Sequence, residues 1–423
     1  MLIDITNKNI VVGVTGSIAI YKACELVRLF VKSGANVQVV MSEAAQKFIT
    51  PLTFEAITKN KVLTKESEDW SSSLNHIDIV SKANAFVIAP ATANTINKLS
   101  KGIADNVLLS AALAYPKNLI IAPAANTNML NNHYTQGSLK MLKVNDVVVV
   151  SPQEKLLACG VEGNGALAEP LEIYYATLRE ILKDDFWIDR KVVVTGGGTR
   201  EAIDDVRFIG NHSSGKMANA LALALYLKGA DVCLVTTKKD DSLPKDIYTL
   251  EVEDASEMLE YVIDCIRVAK KGVLKKASLN NPEAIGIIQK KTYLFMAAAV
   301  ADFTPKYPQS GKLKKSTIGS EWNLELTQTK DILKTIDKSG IVTIGFKAEK
   351  DEKTALENAK KALEEKNLDA VALNILKSAN NFGSDKNEII FVTKKDIKKI
   401  PLSSKINVSF KLLEYAKELE NGQ

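Results

Sequence analysis

Asn9-Ile10-Val11-Val12-Gly13-Val14-Thr15-Gly16-Ser17 is the stretch on which the fold turns. An apolar, largely β-branched run is broken by glycines. It is followed by Ile18 to Lys32, whose apolar residues recur at helical spacing. Gly34 ends that helix, and Val37 to Met41 is a second apolar strand. Strand, glycine turn, helix and strand in this order predict a βαβ unit in a parallel sheet. Glycine lets the backbone approach a phosphate at such a turn, and the first N–H groups of the helix point toward it. A tight strand–helix turn also needs glycine for its own geometry, so both readings stay open.

The scheme recurs in the second half. Lys191 to Thr195 is an apolar strand, and Gly196-Gly197-Gly198-Thr199-Arg200 is the turn. A loop from Glu201 to Ser214 precedes a helix from about Gly215 to Lys228, then Gly229 and a strand from Val232 to Thr236. A chain of 423 residues is too long for one ordinary core. The expectation is an α/β protein of two Rossmann-like parallel-sheet domains in tandem, residues 1–186 and 187–423, with the pattern break at Asp184 to Arg190 as a linker. Further strands are expected at Ala85 to Ala89, Leu119 to Ala122, Val147 to Val150, Tyr293 to Ala298, Ile341 to Phe346 and Asp369 to Leu373. Residues 270 to 292 read as a lysine- and asparagine-rich insertion with little core.

Composition narrows the class. Hydrophobic residues make up 46% and charged residues 25%, as in ordinary globular chains. No apolar run reaches the ~20 residues that span a bilayer, and the N-terminal stretch lacks the pattern of a signal peptide. A cytoplasmic protein that engages no membrane is expected. A net charge of +5, from 55 basic and 50 acidic residues, does not imply a nucleic-acid partner. The four cysteines, Cys24, Cys159, Cys233 and Cys265, form no CxxC pair, which argues against a disulfide frame and against structural zinc. Cys24, Cys233 and Cys265 lie in apolar surroundings and read as core residues.

In parallel sheets the carboxyl ends of the strands carry the ligand crevice. Polar groups gather there: His76, Thr92 and Asn94 after Pro90, and Asn126 and Asn128 after Pro123. Cys159 sits beside Gly160 and Gly163 in a loop. The first turn lacks the third glycine of the dinucleotide fingerprint, and Met41-Ser42 stands where an acidic residue would close the second strand. That disfavours NAD and favours a mononucleotide such as FMN. In the second half, Asn211-His212-Ser213-Ser214-Gly215-Lys216 is dense in donors, Asp302 ends a strand of small residues, and Lys312-Leu313-Lys314-Lys315 follows ten residues later. A carboxylate and a lysine cluster can select a base and neutralise a triphosphate; a capped helix and a solvated loop are the plainer alternatives.

The first half resembles the flavin-dependent cysteine decarboxylases, a family that includes phosphopantothenoylcysteine decarboxylase. The resemblance rests on Gly13 to Ala19, His76-Ile77, Ala89 to Thr95, Gly102 to Asn106, Pro123 to Met129 and Ala158-Cys159-Gly160, in that order. The family usually has Met where Ala125 stands. A flavodoxin-like flavoprotein domain is implied, with Gly16, Ser17, Ser42, Thr92 and Ala93 contacting FMN. FMN would oxidise the substrate to a thioaldehyde, which lets CO2 leave and an enethiol form. His76 would start the reaction, Asn126 would hold the substrate carboxylate, and Cys159 would donate the final proton.

The second half is similar to phosphopantothenate–cysteine ligase. Gly196 to Glu201, Asp205 to Ile209, Asn211 to Met217, Ala298 to Asp302, Lys312 to Lys315, Gly345 to Glu349, Lys366 to Asp369 and Asn381 to Asp385 carry that resemblance. Lys347 replaces an alanine of the bacterial pattern, and a proline usual near Lys330-Asp331 is absent. The resemblance implies an acyl-cytidylate made from 4′-phosphopantothenate and CTP with Mg2+, followed by attack of L-cysteine. Asn211 and Lys312 would be catalytic. Gly197, Gly198, Asp302, Lys312, Lys330, Phe346 and Lys366 would meet the nucleotide, and the metal ligands stay open. The residues alone leave CTP, ATP and UTP open. A homo-oligomer, decarboxylase trimers linked by ligase dimers, is implied as well. Prenyl transfer to FMN is disfavoured by Cys159 and the Asn126 motif, and a non-catalytic regulatory flavoprotein by the intact second-half motifs.

Overall fold

The computed structural model describes residues 1–156, 162–275, 277–279, 282–283, 285–314, 321–377 and 383–421. The chain forms two compact units. Met1–Leu182 with Lys275–Gly286 make the first, and Lys183–Leu274 with Ile287–Gln423 the second. No helix among the described residues is long and apolar enough to cross a membrane.

The first unit is built on a five-stranded sheet of β1 (Asn9–Val14), β2 (Asn36–Met41), β3 (Ala85–Ala91), β4 (Ile120–Pro123) and β5 (Val148–Val149). All pairings are parallel, in the order β2-β1-β3-β4-β5. This is the flavodoxin-like order, whose strand sequence reverses between β1 and β3. Both faces are covered, which is why β1 and β3 are apolar runs without alternation. On one face Val11, Phe86, Ile88 and Ile121 meet Ile96, Leu108 and Leu142 of the overlying helices. On the other lie the helices Ile20–Lys32 and Pro170–Leu182, where the Phe30 and Tyr174 rings stand 5.5 Å apart. Ile20, Ala23, Leu26, Val27 and Phe30 make the buried stripe of the first of these. A hairpin of β6 (Gln153–Leu156) and β7 (Glu162–Ala166) flanks residues 157–161, so Cys159 lies outside the described residues.

Eight strands form the sheet of the second unit. Counted in chain order they are Lys191–Gly196, Asp231–Thr236, Tyr248–Glu251, Thr292–Met296, Ile341–Glu349, Ala370–Ile375, Lys386–Thr393 and Ile397–Ser404. Their spatial order is third, second, first, fourth, fifth, sixth, seventh, eighth. The first six are parallel in the classic dinucleotide-fold order, and the last two are added antiparallel. Lys216–Leu227 is buried nearly all round because it packs on the sheet and beneath the helix Lys405–Asn421. Val193, Leu294 and Val371 on the opposite face meet Met258, Val262, Ala355 and Ala359 of two further helices.

Three sequence expectations change. Asp184 to Arg190 is packed into the second unit rather than extended as a linker. Trp187 is fully buried against Tyr293, and the buried Arg190 guanidinium makes a two-point 2.9 Å ion pair with Glu420. Arg190 also covers the Phe186 ring at 4.0 Å and donates to the Lys291 carbonyl at 2.6 Å. The loop from Glu201 to Ser214 contains a short hairpin, Arg200–Ala202 with Phe208–Gly210. Cys24, Cys233 and Cys265 are half-buried rather than core residues, and the last two lie side by side with sulfurs 3.0 Å apart.

Candidate active sites

At the carboxyl ends of β1, β3 and β4 the first unit opens into a cavity of about 550 Å3. Gly16, Ser17, Ser42, Thr92, Ala93 and Asn126, all expected from sequence, line it. Three of these cap helices with their own side chains: Ser42 accepts from the Ala45 N–H, Thr92 from Thr95 and Asn126 from Asn128. Asn106, another lining residue, caps the next helix through Leu109. The glycine turn is different. The N-cap residue of the 13-residue helix Ile20–Lys32 is Ala19, which has no capping side chain; its own N–H donates to the Ser17 hydroxyl oxygen at 3.2 Å, beside Gly16. Gly16 is needed for geometry, since a Cβ there would lie 2.7 Å from the Ala44 Cβ. The geometric reading of this turn therefore holds.

Thr15 was not singled out by the sequence, yet it ties the site. Its buried hydroxyl donates to the Pro90 carbonyl at 2.6 Å and accepts from the Thr92 N–H at 3.1 Å. The Ala125 N–H bonds the Gly165 carbonyl at 3.1 Å. A Cβ on Gly165 would come within 1.9 Å of the Ala125 carbonyl oxygen, so β7 lies directly on the Asn126 loop. Next to Asn126, the Thr127 hydroxyl is buried with no partner among the described residues.

His76 is placed apart from this cavity's described lining. Its Nδ1 meets the Glu68 carboxylate at 2.6 Å, and the Trp70 ring stands edge-on at 5.3 Å. A carboxylate accepts only, so the proton sits on Nδ1 and Nε2 is the basic nitrogen.

The second unit carries a cavity of about 190 Å3, again at strand carboxyl ends. Phe346 lines it, as do Ser213, Gly215 and Ala298 of the sequence motifs. Lys216, Lys347 and Lys405 bring three ammonium groups to the same wall. Lys347, the departure from the family pattern, is neutralised by Glu349 at 3.2 Å. Burial and the neighbouring Lys216 push the Lys405 ammonium below the usual lysine range. The 12-residue helix Lys216–Leu227 starts at Gly215, φ +71°, without a side-chain cap.

Gly197, Gly198, Asn211, Asp302, Lys312, Lys330 and Lys366 are not among that cavity's described lining. Backbone and side-chain bonds nonetheless gather several of them. The Gly197 carbonyl accepts from Ala299 at 2.8 Å, and the Asn211 Nδ2 donates to the Val300 carbonyl at 2.9 Å. The Asp302 carbonyl accepts from Thr329 at 3.0 Å, next to Lys330. Lys366 pairs with Asp331 at 2.9 Å. Burial alone would raise the Asp331 carboxyl, but Lys366 and the Lys334 N–H hold it below the usual carboxylate range. With its folded pKa depressed, this pair contributes stability above pH ~4 and loses it as pH falls below that value.

Gly197 has φ +78°, and a Cβ there would meet the Thr237 hydroxyl at 2.0 Å. Gly197→Ala is expected to cost about 1–3 kcal/mol of stability, read as a lowered unfolding midpoint of the second unit by calorimetry.

A part of the site that sequence reasoning missed fixes the root of the Lys312 segment. The buried Asp204 carboxylate accepts from the N–H groups of Val206, Arg207 and Leu313 and pairs with the Arg207 guanidinium at 2.9 Å. Asp205 accepts from the Gly311 N–H at 2.9 Å. An Asp–Arg pair three residues apart is too common in sequences to signal this. Asp204→Ala should free the segment, with tryptic cleavage at Lys312 rising about tenfold; unchanged cleavage would remove the anchoring role. No group of three or more His, Cys, Asp or Glu side chains is placed to hold a metal among the described residues.

Residues 3–182 match the family model described as Flavoprotein. Residues 187–279 and 281–419 match that of the DNA/pantothenate metabolism flavoprotein C-terminal domain. The coenzyme A biosynthesis bifunctional protein CoaBC of Bacillus subtilis is 36% identical over 419 residues, 97% of each chain. The protein of the same description from Borreliella burgdorferi is 33% identical over 96% of this chain and 98% of its own. Among solved structures, the C-terminal domain of a CoaBC protein is 29% identical, covering 56% of this chain and 100% of that domain with a TM-score of 0.43.

Proposed function

The chain belongs to the family of bifunctional coenzyme A biosynthesis proteins, and from that premise we propose that it performs two consecutive reactions at its two strand-end cavities. The second half, residues 187–423, joins 4′-phosphopantothenate to L-cysteine. The pantothenate carboxylate attacks the α-phosphate of CTP and releases pyrophosphate; the cysteine amine then displaces CMP. The first half, residues 1–186, removes CO2 from that product to give 4′-phosphopantetheine. The observation that carries this reading is shared by both halves. In each half a long helix whose N-cap residue has no capping side chain, Ala19 or Gly215, starts beside a cavity at the strand ends. Such a helix end favours a phosphate.

The first cavity fits FMN. It has the size of a cofactor site, a helix N-terminus beside Ser17 whose dipole favours a phosphate, hydroxyls at Ser17, Ser42 and Thr92, and small residues at Gly16 and Ala93. Bound there, FMN supplies a two-electron sink for the decarboxylation and returns the electrons afterwards. Asn126 holds the substrate carboxylate with an amide oriented by the Asn128 N–H. His76, held by Glu68, takes a proton through Nε2. Cys159 delivers the final proton from a segment whose flanking β7 is fastened to the Asn126 loop. His76 lies outside the described lining of this cavity, and Trp70 and Ile77 are exposed around it, 66% and 44%. We take this as support for decarboxylase trimers, linked through ligase dimers.

In the second site Asn211 holds the acyl carbonyl, and Lys312 neutralises charge at the phosphates. Gly197 and Gly198 bring backbone near the nucleotide, with Asp302, Lys330, Phe346 and Lys366 selecting it. Mg2+ would offset the charge of the bound triphosphate. The protein works in the cytoplasm.

The test uses purified full-length protein. It should take up FMN and show flavin absorbance, and should release pyrophosphate from CTP, in preference to ATP and UTP, only with 4′-phosphopantothenate present. A chain that takes up no flavin sinks the first assignment; nucleotide cleavage without 4′-phosphopantothenate sinks the second.

A further inference from the structure

The strand Asp231–Thr236 and the helix Ala255–Ala269 face each other in the second unit, and each brings one thiol to the contact. The Cys233 and Cys265 sulfurs are 3.0 Å apart, closer than two sulfurs rest in ordinary van der Waals contact. Both side chains are half-buried and line an apolar-walled cavity of about 340 Å3 with Tyr248, Tyr261 and Val268. The cavity touches Lys191 and Asp231, the first residues of their strands. It therefore lies at the end of the sheet opposite the glycine turn, and neither thiol belongs to the ligase site. The hydrogen bond from Cys233 holds the Cys265 thiol below the ordinary thiol range, and the same bond pushes Cys233 up. In such a pair the second proton is held more tightly than the first.

We propose that Cys233 and Cys265 form a dithiol site that reduces low-molecular-weight disulfides and is itself oxidised to an internal disulfide. The Cys265 thiolate attacks one sulfur of the small disulfide, forming a mixed disulfide and expelling one thiolate. Cys233, its proton passed to that thiolate, attacks the Cys265 sulfur and expels the second. Two protein thiols and one disulfide become one protein disulfide and two small thiols; the protein loses two electrons and the small disulfide gains them. A disulfide bond needs about 2.05 Å between sulfurs, so the closing movement is roughly 1 Å. A trivalent arsenical would be captured in the same way, both sulfurs replacing one oxygen and releasing water.

Full-length protein treated with oxidised glutathione, then mapped by mass spectrometry under non-reducing conditions, tests this. Wild type should lose two hydrogens in a Cys233–Cys265 cross-linked peptide, reversed by dithiothreitol. Cys233→Ser should instead retain glutathione on Cys265, at least ~10-fold above the wild-type level, because the resolving thiol is gone. Phenylarsine oxide should bind wild type one to one and protect both thiols. The proposal is overturned if wild type keeps a stable glutathione adduct at either position, if both thiols stay free, or if the cross-link joins Cys24 or Cys159. These readouts need no flavin or nucleotide, so their failure is separate from failure of the two assigned reactions.

Discussion

Replacing Asn211 by Asp is expected to slow amide formation about 10²–10³-fold, the usual effect of losing one positioned donor to a reacting carbonyl. The first half-reaction should survive. Asn211 holds its amide against the Val300 carbonyl at 2.9 Å, which fixes the side chain beside Ala299 to Asp302. An aspartate there loses the donor and sets a carboxylate against a carbonyl oxygen, so the side chain turns away. Rapid-quench measurements should show a burst of pyrophosphate near one per site, followed by accumulating acyl-cytidylate. Equal slowing of pyrophosphate release and amide formation would place Asn211 in nucleotide binding instead. An unaltered amide-forming rate would remove it from the reaction.

Cys159→Ala is the second large effect. Removing a positioned proton donor costs ~10²–10⁴ in rate. The loss should fall after decarboxylation, so one equivalent of CO2 per site is released while the enethiol accumulates. Serine in its place should behave like alanine, because a hydroxyl is a far weaker acid than a thiol. Normal steady-state turnover by the alanine variant would end the proton-donor assignment. A variant that releases no CO2 at all would move Cys159 to an earlier step.

The sheet architecture was legible because parallel strands covered on both faces read as unbroken apolar runs. β1 and β3 are such runs, and so is Thr292–Met296. Most of the first cavity was legible for a related reason: its lining falls at strand ends, at positions fixed by the βαβ order. The place of His76 was not legible, since it lies on an irregular segment with no strand-end logic. Thr15 was hidden because a threonine in a glycine turn looks the same whether or not its hydroxyl bridges two strands. The Asp184 to Arg190 segment misled because charges flank its aromatic residues; Arg190 is buried only because Glu420 answers it from 230 positions away. The Cys233–Cys265 contact was likewise invisible. Single thiols 32 positions apart carry no spacing signal until a helix is laid on its strand.

The Arg190–Glu420 clasp also sets a timetable. A buried guanidinium without its carboxylate is costly, so the second unit has no complete interior until residues 405–421 have left the ribosome. At ordinary elongation rates of ~5–20 residues per second, the 230 positions between the partners take about 10–50 s to make. The first unit's five-stranded sheet is complete in sequence by Val149. One half of this chain can therefore begin to assemble while the other still lacks the carboxylate that closes its interior.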